Sequence, residues 1–302
     1  MFTLILIMLL ISYLAYRKAF YSSPKRKENI RDVPTSPQYA KGRPLMLALI
    51  DEMEKRPFEE VKIKSFDGLT LYGRYYHLSD GAPLQIQFHG YRGTAIRDFC
   101  GGNNLARELG QNTLVIDERA SGKSDGTTIC FGIKEKYDCL SWANYAAERF
   151  GKETKIILSG VSMGAATVLM ASELDLPENV KCIVADCPFS SPEEIIAKEC
   201  KKMGIPKKLG MPFVKIGARL FGNLKLSGGA KEAVKNTKVP ILIFHGEEDR
   251  YVPCEMSAAI KSANPEMITL HTFPDAAHGL SYITDPGRYN NLTEEFFEKC
   301  GI

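Results

Sequence analysis

Gly160-Val161-Ser162-Met163-Gly164 follows the apolar run Lys155-Ile156-Ile157-Leu158-Ser159 and precedes a helix-forming stretch. A serine hydroxyl becomes a nucleophile when a base takes its proton and the backbone holds it clear of its neighbours. A sharp strand-to-helix turn does the second of these. Glycine at 160 and 164 lets neighbouring segments approach without side-chain clash, and Ala165 and Ala166 keep the helix side uncrowded. The spacing therefore predicts Ser162 as a nucleophile. The competing reading is an ordinary glycine-rich turn.

The base must be a histidine, and the chain has five. His89 and His245 end strands in His-Gly pairs, His77 closes a hairpin, and His271 lies within a strand pattern. His278 sits in the loop Pro274-Asp275-Ala276-Ala277-His278-Gly279, from which an imidazole can swing over a sheet, so it is the expected base. The acid must orient that imidazole and stabilise the imidazolium. In one recurring chain order it falls between serine and histidine. Asp249 fits, in the loop after Ile241-Leu242-Ile243-Phe244; Glu247 and Glu248 stay open on chemistry, and Asp186 is the rival position. An oxyanion needs two convergent backbone N–H groups. Met163, directly after the serine, and Tyr91, in His89-Gly90-Tyr91-Arg92-Gly93, are the candidates.

The elements that must carry these residues alternate. The reading is a helix over 45–55, a hairpin of 61–66 and 69–77 turned at Asp67-Gly68, and strands at 84–89, 113–117, 155–159, 180–186, 241–245 and 267–273. Helices at 98–109, 133–150, 163–174, 254–263 and 288–300 separate them. Such alternation implies right-handed crossovers and a mostly parallel sheet with helices on both faces, edged by the antiparallel hairpin. Chemistry then collects beyond the carboxyl ends of the strands. Between 189 and 229 the alternation breaks, as for a small helical cap. That stretch carries Lys198, Lys201, Lys202, Lys207, Lys208, Lys215, Arg219 and Lys225. A lid with a solvated basic face is preferred over contact with anionic lipid.

With these segments in view, the chain resembles the α/β-hydrolases, nearest the serine aminopeptidase-like branch and the Bem46-like membrane-anchored hydrolases. The matching segments are His89 to Gly93, Asp117-Glu118-Arg119-Ala120-Ser121-Gly122-Lys123-Ser124, Gly160 to Gly164, His245-Gly246 with Asp249 and Val252-Pro253, and His278-Gly279. Ala120 stands where the family usually has glycine. The resemblance covers about residues 60–300 and implies the same triad, Ser162, Asp249 and His278, with no cofactor or metal.

At 302 residues, 44% apolar and 25% charged, the chain is long enough for one large core. A net charge of +3 gives no reason to expect nucleic acid. Eight scattered cysteines include no C-x-x-C, which suggests reduced thiols rather than a metal or redox motif. Phe2 to Tyr16 is apolar and all nearby positive charge follows it: Arg17, Lys18, Lys25, Arg26, Lys27 and Arg31. This predicts an uncleaved single-pass anchor over 1–21 with the rest of the chain in the cytoplasm, in preference to a signal peptide. Residues 22–44 read as a linker, and 45–302 as the hydrolase domain. The expected reaction is hydrolysis of a small acyl ester through an acyl-enzyme. A peptidase, another acyl transfer, or a non-catalytic scaffold are the alternatives.

Overall fold

The computed structural model describes residues 2–23 and 29–302. Of the predicted basic run, Lys25, Arg26 and Lys27 lie outside the described residues. The first helix, α1 (Phe2–Ala19), is followed by α2 (Arg43–Lys55) and the hairpin β1 (Glu59–Lys64) and β2 (Thr70–Tyr76). Next come β3 (Leu84–Phe88), α3 (Ala95–Glu108), β4 (Asn112–Asp117), α4 (Glu135–Phe150), β5 (Ile156–Val161) and α5 (Met163–Ala171). After β6 (Val180–Asp186) two helices, α6 (Pro192–Lys202) and α7 (Lys207–Phe221), interrupt the alternation. The short α8 (Ala230–Ala233), β7 (Ile241–Gly246), α9 (Cys254–Ala263), β8 (Ile268–Phe273), α10 (Ser281–Thr284) and α11 (Pro286–Lys299) complete it.

The described strands form one sheet in the order β1-β2-β4-β3-β5-β6-β7-β8. The pairs β1–β2 and β2–β4 are antiparallel, and the rest are parallel. The central strands are buried along their length, as a sheet covered by helices on both faces requires. Register aligns their carboxyl ends: Phe88 pairs with Gly160, Val161 with Asp186, and Gly246 with Phe273. Residues a few positions beyond β3, β5, β7 and β8 therefore converge on one edge.

Helix starts differ from the sequence reading where caps decide them. Thr94 accepts from Arg97 N–H and begins α3 three residues before Asp98. Asp285 accepts from Arg288 N–H with Pro286 in the first helical position, so α11 begins before Arg288.

Described parts of the stretch read as a linker touch the domain. Ser22 N–H donates to Thr127 O, and Val33 and Tyr39 are buried. α1 also packs on the domain. Ser12 and Tyr16 of the helix and Phe20 just after it are buried, the last two beside Phe131, while the rest of the helix is mostly exposed. It is long and apolar enough to cross a membrane. Eight free cysteines are distributed through the domain, six of them buried.

Candidate active site

Ser162 occupies a backbone conformation that L-residues rarely adopt, with φ 55° and ψ −110°. Such a residue costs ~1–3 kcal/mol and persists only where its surroundings hold it. Its N–H donates to Asp186 O and its carbonyl accepts from Ala166 N–H. The two glycines are demanded by space. A Cβ on Gly160 would stand 2.3 Å from the Gly164 carbonyl, and one on Gly164 would stand 1.9 Å from Phe88 O. Strand, turn and helix are thus pressed together at the point where the hydroxyl emerges.

Beyond β8, the His278 ring reaches back over this turn. Its Nε2 lies 2.9 Å from Ser162 Oγ, and its Nδ1 lies 2.6 Å from Asp249 Oδ2. A carboxylate only accepts, so Nδ1 carries the proton and Nε2 is free to accept from the serine hydroxyl. The other Asp249 oxygen accepts from the Tyr251 and Val252 N–H groups, each at 2.8 Å. Burial alone would push the Asp249 carboxyl up. Hydrogen bonds from His245, His278 and the Val252 backbone outweigh it and hold the group well below the usual carboxylate range. At physiological pH it is a fixed negative charge facing the imidazole.

The remaining acid candidates stand elsewhere. Asp186 Oδ1 accepts from Ser281 Oγ, and burial pushes its carboxyl up to about 6. Glu247 is exposed and accepts from Thr272 Oγ1; Glu248 is exposed too. His89 donates from Nδ1 to Gly90 O and accepts at Nε2 from Glu118 N–H, a structural role. His245 is tied to Ser257 Oγ and Val252 O.

The two oxyanion candidates flank the serine. Met163 opens α5, where the first N–H groups have no intrahelical partner. Tyr91 follows Gly90, on which a Cβ would lie 3.3 Å from Ser162 Cβ. This loop is pinned from two sides. Asp98 Oδ2 accepts from Gly90 N–H, and Tyr91 Oη donates to Ala19 O at the end of α1.

Several residues here were given no role at the site from the sequence, Cys187 having been read only as a core residue flanking a strand. Asp98 holds the 90–91 backbone; its signal was a carboxylate one helical turn past a glycine loop. Tyr39 donates to His278 O from a proline-bearing polar stretch with no pattern to mark it. Tyr251 sets its ring edge-on to His278, 5.6 Å between centroids. Cys187 is buried at the end of β6 with φ 49°. Its sulfur and the nearest ligand atoms of Asp249 and His278 lie within 4.8 Å of one another. Those are metal-ligand types, but Nδ1 of the imidazole is already engaged by the carboxylate.

Above the serine lies a cavity of about 820 Å³, floored by Ser162 and His278 and walled by α6, α7, α1 and the loops carrying Tyr91 and Phe131. Lys198 of α6 donates to Arg250 O and Tyr251 O, which ties the cap to the loop bearing Asp249.

Comparison with known proteins agrees with this architecture. A profile of the prolyl oligopeptidase family matches residues 131–301. The protein YqkD of Bacillus subtilis is 25% identical over 197 residues, which is 65% of each chain, so the match spans just under two thirds of that relative. The thiohydrolase aneE of Aspergillus aculeatus is 27% identical over 139 residues, covering 45% of this chain and 43% of its own. Among solved structures, the Pyrococcus furiosus esterase Pf2001 superposes with a TM-score of 0.68 at 20% identity, covering 93% of this chain and 98% of that one. Est1E of Butyrivibrio proteoclasticus, solved with ferulic acid bound, superposes with a TM-score of 0.61 at 22% identity, covering 79% and 98%. At such identities these two structures share the α/β-hydrolase fold with this chain.

Proposed function

We propose that the chain, which belongs to the prolyl oligopeptidase family and is a serine hydrolase of the α/β-hydrolase type, cleaves carboxylic esters through Ser162, His278 and Asp249. Ser162 Oγ attacks the acyl carbonyl as His278 Nε2 takes its proton, forming a tetrahedral oxyanion. The N–H groups of Met163 and Tyr91 receive that charge. The C–O bond to the alcohol breaks, and the alcohol leaves with the proton from Nε2. Water, deprotonated by the same nitrogen, then attacks the acyl-enzyme and frees the acid and the serine. Asp249 keeps the imidazole in the required tautomer throughout.

The observation that supports this reading is the unbroken line Asp249–His278–Ser162, at 2.6 and 2.9 Å, at the floor of a largely apolar cavity. An acyl chain suits such a cavity; of the carboxylates on its wall, Asp98 is paired with Arg97 and Glu199 stands on α6. The family's name keeps peptide cleavage as a second reading. The apolar α1 holds the enzyme at a membrane in this proposal, and Arg17 and Lys18 at its end put the domain on the cytoplasmic side.

A fluorophosphonate probe should label the wild type, and Ser162→Ala should not label. Short p-nitrophenyl esters should turn over at least ~100-fold faster than aminoacyl amides. Faster cleavage of the amides would overturn the esterase reading in favour of the peptidase.

A further inference from the structure

The cavity above Ser162 is not closed by the catalytic domain and its cap alone. α1 contributes Ile11, Leu14 and Ala15 to its wall, opposite Ile195, Leu209 and Phe213 of α6 and α7. The helix is built into this position. A Cβ on Gly217 of α7 would stand 2.2 Å from Ser12 O, so the two helices touch backbone to backbone. Tyr16 is buried, bonds Thr128 Oγ1 through its hydroxyl at 2.8 Å, and packs with Tyr13 around Phe221. The carbonyls at the C-terminal end of α1 have partners from the loop beside the nucleophile. Lys18 O and Tyr21 O accept from Arg92, and Ala19 O accepts from Tyr91. A mere tether would need none of these contacts.

The surface outside the cavity is apolar as well. Leu4 and Leu10 of α1 are 63% and 57% exposed, and Leu220 of α7 is 58% exposed. The two helices that flank the cavity thus present bare leucines on their outer faces, which water does not favour and hydrocarbon does.

We propose that α1 is a wall of the acyl site, and that the substrate is a long-chain acyl ester whose tail runs from Ser162 between α1 and the cap, drawn from the membrane in which α1 sits. The proposal rests on the esterase reading above and adds the substrate class and the helix that selects it. A cavity of about 820 Å³ lies toward the large end of the ~300–1,000 Å³ of small-molecule sites. Each methylene buried in it is worth about fourfold in kcat/KM at most.

The test uses the full chain reconstituted in phosphatidylcholine vesicles, with p-nitrophenyl butyrate and laurate as probes. The wild type should prefer laurate by at least ~100-fold in kcat/KM. Ala15→Trp and Ile11→Trp, which push an indole into the cavity from α1, should each lower the laurate-to-butyrate ratio at least ~10-fold. Leu6→Trp, on the same helix outside the cavity, should leave the ratio within ~2-fold. Fluorophosphonate labelling of each variant shows that its serine is assembled. A wild-type ratio near 1, or ratios unmoved in both tryptophan variants that still label, overturns the wall while leaving the esterase reading intact. Turnover of aminoacyl amides but of neither ester overturns the esterase reading itself. Monolaurin held in the same vesicles separates the sources of the tail: its hydrolysis supports a membrane lipid, and its inertness beside active laurate ester overturns that origin.

Discussion

Asp249→Asn tests the relay at its most constrained point. One carboxyl oxygen of Asp249 accepts two backbone N–H groups, from Tyr251 and Val252, each at 2.8 Å. An asparagine must set its carbonyl there, because turning its NH₂ toward two donors would lose both bonds. The NH₂ is then forced to the other position, 2.6 Å from His278 Nδ1. That nitrogen must accept, so the ring proton moves to Nε2, which faces Ser162 and no longer takes the hydroxyl proton. A triad in the wrong tautomer loses about 10⁴ in turnover, equivalent to about 5 kcal/mol of transition-state stabilisation. The assay is kcat/KM on p-nitrophenyl butyrate together with the rate of fluorophosphonate labelling. Thermal melting at pH 7 checks the fold, because a carboxyl held this low adds stability above its ordinary range that the amide forfeits. Asp186→Asn is the comparison. Its carboxyl, pushed up to about 6 by burial, bonds Ser281 rather than the imidazole, so activity should stay within ~3-fold. If Asp249→Asn keeps activity within ~10-fold and Asp186→Asn loses it, the assignment of the acid is wrong.

Two further outcomes follow from packing and burial. Gly164→Ala should destabilise by about 3 kcal/mol, the upper end for overpacking, since its Cβ would lie 1.9 Å from Phe88 O. Gly287→Ala, where the nearest atom is 3.8 Å away, should be neutral or slightly stabilising, and equal melting shifts for the two would refute the steric account. Glu118 is fully buried beside Glu135 and Asp138, and burial raises its carboxyl well above the ordinary value. The stability this protonated group contributes is complete below the unfolded-state value near ~4.3 and is lost as pH rises toward the folded one. The melting temperature of Glu118→Gln relative to wild type should therefore climb between pH 5 and pH 8; a constant or shrinking difference would argue that the carboxyl is ionised in place.

What the sequence disclosed depended on how local the signal was. Most of the sheet was legible because its inner strands are short apolar runs bounded by turn residues, the opening hairpin was legible from Asp67-Gly68, and β6 and α9 even had their observed limits. Serine, histidine and acid were legible as candidates because each stands in a loop after a strand. Chemistry alone left Asp249 beside Glu247 and Glu248; chain order and the resemblance put Asp249 forward, and it is the one whose carboxylate faces the imidazole. Helix starts at 98 and 288 were read late because periodicity does not register a cap, whereas Thr94 and Asp285 do the capping. Ala120 in a place usually held by glycine was a sign of an unusual turn. It stands at φ 60°, so the turn keeps its shape and alanine bears the strain.

The contacts of α1 were hidden for a different reason. Periodicity shows that Phe2 to Tyr16 is apolar, but an apolar helix bound for lipid and one bound for protein read alike. Only the three-dimensional neighbours separate them. Gly217 leaves room for Ser12, and the Arg92 guanidinium reaches two carbonyls at the helix end. Arg92 itself stands at φ 52°, next to Tyr91. One strained loop therefore does two jobs. Its backbone runs past the nucleophile, and its side chains grip the end of the apolar helix. The end of the helix and the backbone that passes Ser162 are therefore held by the same two residues, Tyr91 and Arg92.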